Sequence, residues 1–358
     1  MKKLIHKATE LLKQLISTPS LSKEEDKTAN LIFNFLKNEG VEEPHIYLNN
    51  VWAVNTYFDP AKETLMLNSH HDTVKPNNGY TRPPFEPQIE EGKLFGLGSN
   101  DAGGPLVSLI AAFLHFYNTP NLAYNLLLAC TAEEEISGKN GIVALMPVIP
   151  QPSVAIIGEP TLMDMAIAEK GLMVLECTAH GVAGHAARNE GENAIYKALK
   201  DMEWIQSYEF PLQSKTLGPV KMTTTVIHAG SQHNVIPDRC HFTIDVRTTD
   251  VYSNEETLAI IKEHLKSKID PKSLRLNPSS IAIEHPLVKA GISLGMATYG
   301  SPTLSDQSLI DIPSVKLGPG DSARSHTPDE FIYVDEIEDG IEKYIKLLEL
   351  FLNCKTKN

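Results

Sequence analysis

Short apolar runs alternate with longer amphipathic stretches over the first 170 residues, and this alternation restricts the possible folds more than any other feature. Runs of strand length lie at residues 51–57, 64–68, 125–131 and 154–157, and a helix is predicted over 105–117. Strands that alternate with helices are typical of an α/β domain with a mixed, mostly parallel sheet. Ligands bind such sheets beyond the carboxyl ends of the strands, so the polar residues after each run are the first candidates for a site.

The pattern changes near Gly171. Strands and helices are predicted there in the order β-α-β-β-α-β, at residues 172–179, 193–208, 222–229, 241–247, 254–268 and 274–276. This order is typical of a ferredoxin-like α+β unit. Because α/β character returns after Pro286, we predict a domain of residues 171–284 inserted into a larger domain of residues 1–170 and 285–358.

Local signals mark the helices that flank these strands. Ser22 and Glu25 form the pattern of a capping box ahead of a helix that ends at Gly40. Beyond the inserted region, the sequence predicts a helical stretch from Pro286 to about residue 299 and a final amphipathic helix over 336–352.

Composition disfavours several classes of partner. The 358 residues carry a net charge of −13, which disfavours binding to nucleic acid or to an anionic membrane. No apolar run reaches the 18 residues of a membrane span, and the first residues form an amphipathic helix rather than a secretory segment. Four widely spaced cysteines, Cys130, Cys177, Cys240 and Cys354, form no CxxC pair, so we predict a protein of the reducing cytoplasm.

His70 and Asp72 follow the second apolar run. Residues two apart in an extended chain point to the same side, so the imidazole and the carboxylate can face one site. A metal-bound imidazole usually needs a carboxylate or carbonyl that fixes its orientation. A metal ligand with its orienting acid explains this segment, and so does a polar loop with an incidental pair of histidines.

Asp101 lies in a glycine-rich segment, residues 96–104. A dinucleotide-binding loop would need Gly where Asp101 stands, and a carboxylate there would repel a pyrophosphate. The segment therefore lacks the nucleotide-binding fingerprint that would indicate an oxidoreductase. The small residues allow the backbone to approach closely. Asp101, just before a predicted helix, then either faces a cation or caps that helix.

More acidic and histidine side chains follow the other runs. Three adjacent glutamates, residues 133–135, follow the third run, and such carboxylates repel one another unless a cation neutralises them or they extend into water. Glu159 follows the fourth run, and His326 lies in the loop after a predicted strand at 314–317. Together these segments offer nitrogen and oxygen donors without a thiolate, a set that suits zinc, or less often cobalt or manganese.

The order and spacing of these segments resemble the dizinc family that contains acetylornithine deacetylase, succinyl-diaminopimelate desuccinylase, aminoacylase and glutamate carboxypeptidase. The resemblance extends over essentially the whole chain and is carried by His70-x-Asp72, GxGxxD ending at Asp101, Glu134-Glu135 followed by Gly138, Gly158-Glu159-Pro160 and His326-x-Pro328. It implies a zinc-peptidase-like catalytic domain with an inserted lid domain that commonly mediates dimerisation.

The resemblance also implies a ligand set for two Zn²⁺ ions, for which Co²⁺ can substitute. Asp101 would bridge the two ions. His70 and Glu159 would complete one site, and Glu135 and His326 would complete the other.

The resemblance further implies the residues that act beside the ions. Asp72 would orient His70, and Glu134 would be the general base that takes a proton from water and passes it to the leaving amine. The family has a cis peptide after its bridging aspartate, here Asp101–Ala102. Many relatives carry a charged residue at position 102, so Ala102-Gly103-Gly104 departs from their pattern.

Three residues of the inserted domain match family positions that contact the substrate. His185, in the segment 181–185, would reach a neighbouring active site and stabilise the tetrahedral oxyanion, and a surface-loop histidine is the alternative interpretation. Asn234 and Arg247 would bind the substrate, and the guanidinium group of Arg247 would bind its α-carboxylate with two hydrogen bonds. A salt bridge at a strand edge is the alternative for Arg247.

The resulting hypothesis is an enzyme that hydrolyses the amide bond of an N-acyl L-amino acid and acts as a homodimer. The compact length and the loop at 318–329 look most like acetylornithine deacetylase, which implies N-acetyl or N-succinyl ornithine as substrate and a role in arginine biosynthesis. A desuccinylase or a dipeptidase or carboxypeptidase with the same dizinc site is the alternative. A non-catalytic zinc-binding protein is a further alternative, but it would not need a free base at Glu134.

Overall fold

Helices and strands alternate through residues 1–353, which the computed structural model describes. The helices of these residues are α1 (Lys2–Ile16), α2 (Asp26–Asn38), α3 (Gly104–Phe116), α4 (Ile142–Leu145), α5 (Ala194–Ser207), α6 (Asn254–His264), α7 (Pro286–Ser293) and α8 (Val334–Asn353). The strands are β1 (His45–Tyr47), β2 (Asn50–Val54), β3 (Thr64–His70), β4 (Gln88–Glu90), β5 (Lys93–Phe95), β6 (Asn125–Thr131), β7 (Val154–Ile157), β8 (Met165–Glu169), β9 (Gly171–His180), β10 (Gly184–His185), β11 (Lys221–Ala229), β12 (Val235–Ile236), β13 (Arg239–Thr248), β14 (Lys268–Pro271), β15 (Ser279–Ser280), β16 (Thr298–Ser301), β17 (Ser314–Lys316) and β18 (Phe331–Tyr333). Among these residues, no helix combines the length and the apolar character needed to cross a bilayer.

The first of two units is built around a mixed sheet whose centre is parallel. It comprises Met1–Ile167, Ser280–Tyr299 and the described residues from Ser305 onwards. Its strands lie in the order β1-β2-β6-β3-β7-β17-β8, in which β6, β3, β7 and β17 are parallel and the outer pairs are antiparallel. The α/β fold with a mixed, mostly parallel sheet is therefore confirmed.

Both faces of this sheet are covered, which explains why its central strands read as continuous apolar runs. Leu65 and Leu67 of β3 pack into the cluster that includes helices α1, α2, α3 and α8. Met66, which points to the opposite face, packs with Ile142 and Leu145 of α4. With both faces occupied, the edge at the carboxyl ends of the strands is the place left for a site.

The second unit comprises Ala168–Ser279 together with Gly300–Leu304. Its elements follow the order β9, α5, β11, β13, α6 and β14, and its sheet has the order β11-β13-β9-β14 with antiparallel pairing throughout. This is the βαββαβ plan expected from the sequence. The bounds of the unit differ by a few residues from the predicted 171–284.

The closing strand of this unit is not where the sequence predicts it. We expected the strand at residues 274–276, whereas β14 spans Lys268–Pro271 and pairs with β9. Leu276 makes only an isolated bridge with Leu172. The true strand lies at the edge of the sheet and has only four residues, of which Lys268 and Asp270 are charged, so no apolar run reveals it.

Two further local predictions need correction. Ser22 and Glu25 form no capping box, because α2 begins at Asp26 without a side-chain cap bond and the Ser22 hydroxyl donates to Asp72 at 2.7 Å. The predicted helix from Pro286 to residue 299 ends at Ser293, and the chain then enters β16.

Candidate metal centre

The carboxyl ends of the central parallel strands bring the predicted ligands together. His70 is the last residue of β3, and Glu134 and Glu135 lie three and four residues beyond the end of the neighbouring parallel strand β6. Glu159 lies just beyond β7 on the other side of β3. These side chains meet because parallel strands end at one edge of the sheet.

The His70 imidazole is buried with each nitrogen facing a different set of oxygens. Nδ1 lies 3.0 Å from the backbone oxygen of Asp72, a contact in which the ring donates. Nε2 lies 3.2 Å from Asp101 Oδ1 and 3.6 Å from Glu159 Oε1. The backbone carbonyl therefore fixes the tautomer that leaves Nε2 free as a ligand.

Asp101 lies between two groups of donors. The first group is His70, Asp101 and Glu159, and the second is Asp101, Glu135 and His326, with one ligand atom per residue and all such atoms of a group within 4.8 Å. These are the five residues to which the resemblance assigned the metals, in the same two sets. Imidazole nitrogens and carboxylate oxygens fit a pair of zinc ions by their chemistry.

The backbone around Asp101 shows why small residues follow it. The Asp101–Ala102 peptide is cis, as expected from the resemblance. A Cβ on Gly103 would lie 2.3 Å from the oxygen of Gly98, and one on Gly104 would lie 2.2 Å from Ile332 Cδ1. The close approach of the backbone predicted for this segment is confirmed. The alternative role for Asp101, a cap of α3, is excluded, because α3 has no side-chain cap bond.

The site concentrates negative charge. Burial and the neighbouring Asp101 raise the pKa of Glu159 to about 8, although His70 opposes this rise. Burial alone would lower the pKa of His70, but hydrogen bonds to Asp101 and Asp72 raise it well above the usual value. A pair of divalent cations would neutralise carboxylates that otherwise repel one another.

Glu134 differs from Glu135 in its place at the centre. Glu135 Oε2 lies 3.0 Å from His326 Nε2 and belongs to the second group. Glu134 belongs to neither group, and its Oε2 lies 3.9 Å from His70 Nε2. Burial is the main cause that raises the pKa of Glu134 well above its ordinary value, and the charge of Glu159 adds to this rise. The geometry thus leaves Glu134 as a carboxyl group beside the ligands.

Asp72 lies beside His70 and also binds the backbone of the glutamate turn, which is formed by residues 133–135. Its Oδ1 accepts a hydrogen bond from the backbone N–H of Glu134 at 3.0 Å, and its Oδ2 accepts one from the N–H of Glu135 at 3.2 Å. Its Oδ1 also lies 3.4 Å from His70 Nδ1. The carboxylate therefore connects the end of β3 to the residues that follow β6.

Two buried acids, whose contact with each other the sequence did not reveal, stabilise the turn at residues 133–135. Glu133 has a positive φ of 55°, and its carboxylate accepts bonds from the backbone and side-chain nitrogens of Asn140. Glu25 accepts from the backbone N–H of Glu133 at 3.2 Å. No local pattern links residues 25 and 133, so only the folded chain reveals this pair.

Two other buried acids lie beside the ligands. Burial raises the pKa of Asp306 to about 6, and this carboxylate accepts a hydrogen bond from the Thr131 hydroxyl at 2.6 Å. Burial and the charge of Asp101 raise the pKa of Glu330 to about 8. Glu330 lies four residues after His326, and this proximity is the one signal that the sequence offered.

His71, the neighbour of His70, is a structural histidine that is not among the predicted ligands. Its Nε2 lies 2.9 Å from the oxygen of Asn49, and its Nδ1 lies 2.9 Å from the Thr28 hydroxyl. Burial lowers its pKa to about 4. The ring is therefore a neutral, satisfied core group.

The three candidate residues of the second unit form two separate places. His185 lies in β10, which pairs with β12, and the oxygen of Asn234 accepts a hydrogen bond from the N–H of Ala186. Strand β13 begins at Arg239, which pairs with His180 just ahead of β10, whereas Arg247 lies eight residues further on, about 26 Å along the strand. The structure therefore brings His185 and Asn234 together and leaves Arg247 apart from them.

The Arg247 guanidinium is already paired. Its Nε donates to Asp245 Oδ1 at 2.8 Å and its Nη2 donates to Asp245 Oδ2 at 3.1 Å. This contact is the salt bridge that the sequence left open as the alternative. His185 is exposed, and its Nδ1 accepts from the N–H of Ala187 at 3.1 Å, which leaves Nε2 available.

Solved structures share this fold at low identity. Aminopeptidase PepT from Bacillus cereus matches with a TM-score of 0.77 and 19% identity, covering 97% of this chain and 98% of that chain. The YXEP protein of Bacillus subtilis, described as a dinuclear metal-binding peptidase of the M20 family, matches with a TM-score of 0.73 and 15% identity over 99% and 100% of the two chains. An M20 family metallo-carboxypeptidase from Sulfolobus solfataricus matches with a TM-score of 0.72 and 18% identity over 96% and 99%.

Sequence comparison identifies the family. An acetylornithine deacetylase of Proteus mirabilis is 28% identical over an alignment of 374 positions, which covers 96% of each protein. The family model described as peptidase family M20/M25/M40 matches residues 66–350, most of the chain. The chain therefore belongs to peptidase family M20/M25/M40, a family of metal-dependent hydrolases.

Proposed function

We propose that this protein hydrolyses the amide bond of an N-acyl L-amino acid with two Zn²⁺ ions, for which Co²⁺ can substitute. The observation that carries the proposal is the position of Glu134, a partly buried carboxyl group that belongs to neither ligand group yet lies 3.9 Å from His70 Nε2. A purely structural metal centre has no use for such a group. A hydrolase needs one to move a proton.

The protein's own residues account for the proton transfers. Glu134 takes a proton from the water that attacks the acyl carbon, and the carbon–nitrogen bond then breaks. The same carboxyl group gives the proton to the leaving amine. The products are the neutral amine and the free acid. The two ions, when bound, supply Lewis acidity for the water and the carbonyl.

Ornithine derivatives are the first candidate substrates. The relative in Proteus mirabilis is named acetylornithine deacetylase, and its alignment spans nearly the whole of both proteins. We therefore propose N-acetyl or N-succinyl ornithine, converted to ornithine and the free acid. Such a substrate would place the enzyme in arginine biosynthesis.

The second unit would hold the substrate. Arg247 would bind the α-carboxylate through the N–H groups that Asp245 leaves free, and Asn234 would donate from its side-chain amide. His185 would stabilise the oxyanion with its free Nε2. The partner of the protein is in this view a small molecule, and the net charge of −13 speaks against nucleic acid and membrane as partners.

We further propose a homodimer in which His185 acts on the neighbouring active site. One substrate cannot touch both ends of β13. The separation of Arg247 from His185 and Asn234 therefore favours an arrangement in which the two ends of one second unit contribute residues to two different active sites. Strand β11 is an edge strand, and its Ile227 is 50% exposed. On α5, Tyr196 is 67% exposed. An exposed edge with apolar side chains is a surface on which a second copy can pair.

We propose the cytoplasm as the location, on the basis of the cysteines. Cys130, Cys177 and Cys240 are free and buried. Cys354 lies outside the described residues. Buried free thiols without a disulfide among the described residues are typical of a reducing compartment.

A substrate panel tests the proposed activity. Purified protein, loaded with zinc or cobalt, is given N-acetyl and N-succinyl ornithine, other N-acyl amino acids, dipeptides and tripeptides, and the released amine is quantified. We expect the highest kcat/KM for an N-acyl ornithine. Highest turnover of a dipeptide or a C-terminal residue would instead support the peptidase alternative, and highest turnover of a non-ornithine N-succinyl substrate would support the desuccinylase.

Mixing two inactive variants tests the proposed dimer. Glu134→Ala and His185→Ala are combined under conditions that exchange subunits, with exchange verified by differently tagged chains. In a mixed dimer, one of the two active sites receives both intact residues, so we expect about half of wild-type activity per mixed dimer, and about a quarter for a fully exchanged equal mixture. Verified exchange with no recovery of activity contradicts action across the dimer.

A further inference from the structure

Glu330 is a buried carboxylate that binds the segment carrying Asp101. It is 2% exposed and precedes β18, four residues after His326. Its Oε1 accepts hydrogen bonds from the backbone N–H groups of Asn100 at 2.8 Å and Asp101 at 2.9 Å. Its Oε2 accepts a third from the N–H of Gly98 at 3.1 Å.

The backbone of Glu330 adds a fourth contact to the same segment. The N–H of Gly96 donates to its carbonyl oxygen at 3.0 Å. Four donors between Gly96 and Asp101 thus end on a single residue. Buried backbone N–H groups need hydrogen-bond acceptors, and this irregular segment precedes the regular hydrogen bonds of α3. Glu330 therefore supplies the acceptors that regular secondary structure does not provide here.

The location of these contacts connects the two halves of the candidate centre. Asp101 is the one residue common to both ligand groups, and His326 belongs to the second. Glu330 is four residues from His326 in the chain and hydrogen-bonded to the N–H of Asp101. A displacement of Glu330 would therefore move the shared ligand relative to the others.

We infer that Glu330 is a positioning residue that sets the place of the Asp101 carboxylate between the two ligand groups. The inference rests on the proposed metal centre. Both carboxylate oxygens are required as acceptors. In a Glu330→Gln variant, an amide nitrogen would replace one of them and present N–H groups to a backbone N–H.

Asp329 provides a matched control in the neighbouring position. Its carboxylate accepts hydrogen bonds from the backbone N–H groups of Thr81 and Arg82 and from the Thr81 hydroxyl. Like Glu330, it binds the backbone of a distant loop. That loop contributes no member of either ligand group.

The test measures metal binding rather than turnover. Stripped wild-type protein, Glu330→Gln and Asp329→Asn are titrated with Co²⁺ and followed by visible absorption, which reports the coordination of each ion. We expect Glu330→Gln to bind Co²⁺ about 10- to 100-fold more weakly, with a changed spectrum. Asp329→Asn should bind two ions with wild-type affinity and spectrum.

Wild-type affinity and spectrum in Glu330→Gln overturn the inference, as does an equal loss in Asp329→Asn. If Glu330→Gln does not fold, hydrogen exchange of the wild-type protein decides. The amides of Gly98, Asn100 and Asp101 should be as protected as those of β3, and rapid exchange at all three contradicts the inference. Because these readouts need no substrate, failure of the proposed hydrolysis would appear separately, as an inactive wild-type enzyme that still binds two Co²⁺ ions.

Discussion

The carboxylate of Asp72 accepts a hydrogen bond from the backbone N–H of Glu134, with 3.0 Å between Oδ1 and the nitrogen. Asp72 follows β3 and Glu134 follows β6, so this bond joins the ends of two neighbouring parallel strands. Asp72 therefore positions the backbone of Glu134 as well as orienting His70. The acid that supports the first ligand also holds the proposed base.

Asp72→Asn should impair both metal binding and turnover. The amide would present N–H groups to the backbone donor of Glu134 or Glu135, so one donor would lose its acceptor. We expect a fall in kcat/KM of about 10- to 100-fold, with weaker metal binding. Steady-state kinetics and metal analysis check this. Ser22→Ala, which removes only the hydroxyl donor to Asp72, should lose much less. An Asp72→Asn enzyme with full activity would contradict the role.

Glu134→Gln should retain two metal ions and lose nearly all turnover. Glutamine keeps the size of the side chain but cannot accept and return a proton, so we expect kcat to fall by about 10²- to 10⁴-fold. Turnover of the preferred substrate and metal content by elemental analysis check this. Activity within tenfold of the wild type would exclude Glu134 as the base. Loss of the metals would place it among the ligands.

Gly138→Ala should disturb the glutamate turn. A Cβ at this position would lie 2.0 Å from Glu133 Oε2 and 2.4 Å from Glu133 Cβ, so the buried Glu133 would have to move. We expect a loss of about 1–3 kcal/mol in the free energy of unfolding, together with reduced activity. Thermal unfolding and kinetics check both.

Gly92→Ala is the control for Gly138→Ala. Gly92 has a φ of 77° and nothing within 4 Å of an added Cβ, so only its backbone strain would cost stability. This variant should keep wild-type kcat. Equal activity of the two variants would show that contact with Glu133 is unimportant.

Removal of metal should abolish activity and lower the melting temperature. Without cations, Asp101, Glu135 and Glu159 would repel one another in a buried site, and bound ions stabilise the folded state by mass action. Chelation followed by gel filtration, with kinetics and thermal unfolding, tests this. Zinc or cobalt should restore both properties. Full activity of a protein shown to contain no metal would exclude the dizinc mechanism.

Glu176 should make the stability of the second unit depend on pH. Hydrogen bonds from Lys272 and Thr243 lower its pKa from 4.5 to about 2. The unfolded state therefore binds a proton first as the pH falls. The stabilisation is complete above about pH 4.5 and is lost as the pH falls towards 2.

Glu176→Gln tests this dependence by thermal unfolding at several pH values. The variant should be less stable at pH 7 by roughly 1 kcal/mol, a value typical of partly exposed pairs. The difference should shrink below pH 4.5. Lys272→Gln, which removes one donor to the same carboxylate, should reproduce part of it. A difference that does not change with pH would contradict the ionic origin.

The sequence predicts this candidate site well where ligands follow apolar strands. His70, Glu135 and Glu159 can be located from the sequence because each comes shortly after a buried run, and parallel strands place such residues at one edge. The glycines near Asp101 also indicate a close approach of the backbone, because a residue without a side chain permits it. In each case the signal lies within a few residues of the ligand.

The rest depends on contacts between distant parts of the chain. Glu25 and Glu133 meet across 108 positions, and Glu330 reaches Asp101 across 229. The pattern at Ser22 and Glu25 misled for the same reason, because both side chains serve distant partners instead of the adjacent helix. Polar edge strands such as β14 (Lys268–Pro271) also escape detection, since they lack an apolar run.

The position of β17 between β7 and β8 has a consequence for the order in which the chain can mature. The three members of the first ligand group all lie within the first 159 residues, before the inserted unit begins at Ala168. The second group must wait for His326, and the central sheet must wait for β17 (Ser314–Lys316). The first group also depends on a late residue, because the backbone N–H of Asp101 donates to Glu330. Neither half of the centre is therefore complete until the segment from β17 to Glu330 has been made. We expect residues 314–330 to decide when a nascent chain can bind both ions.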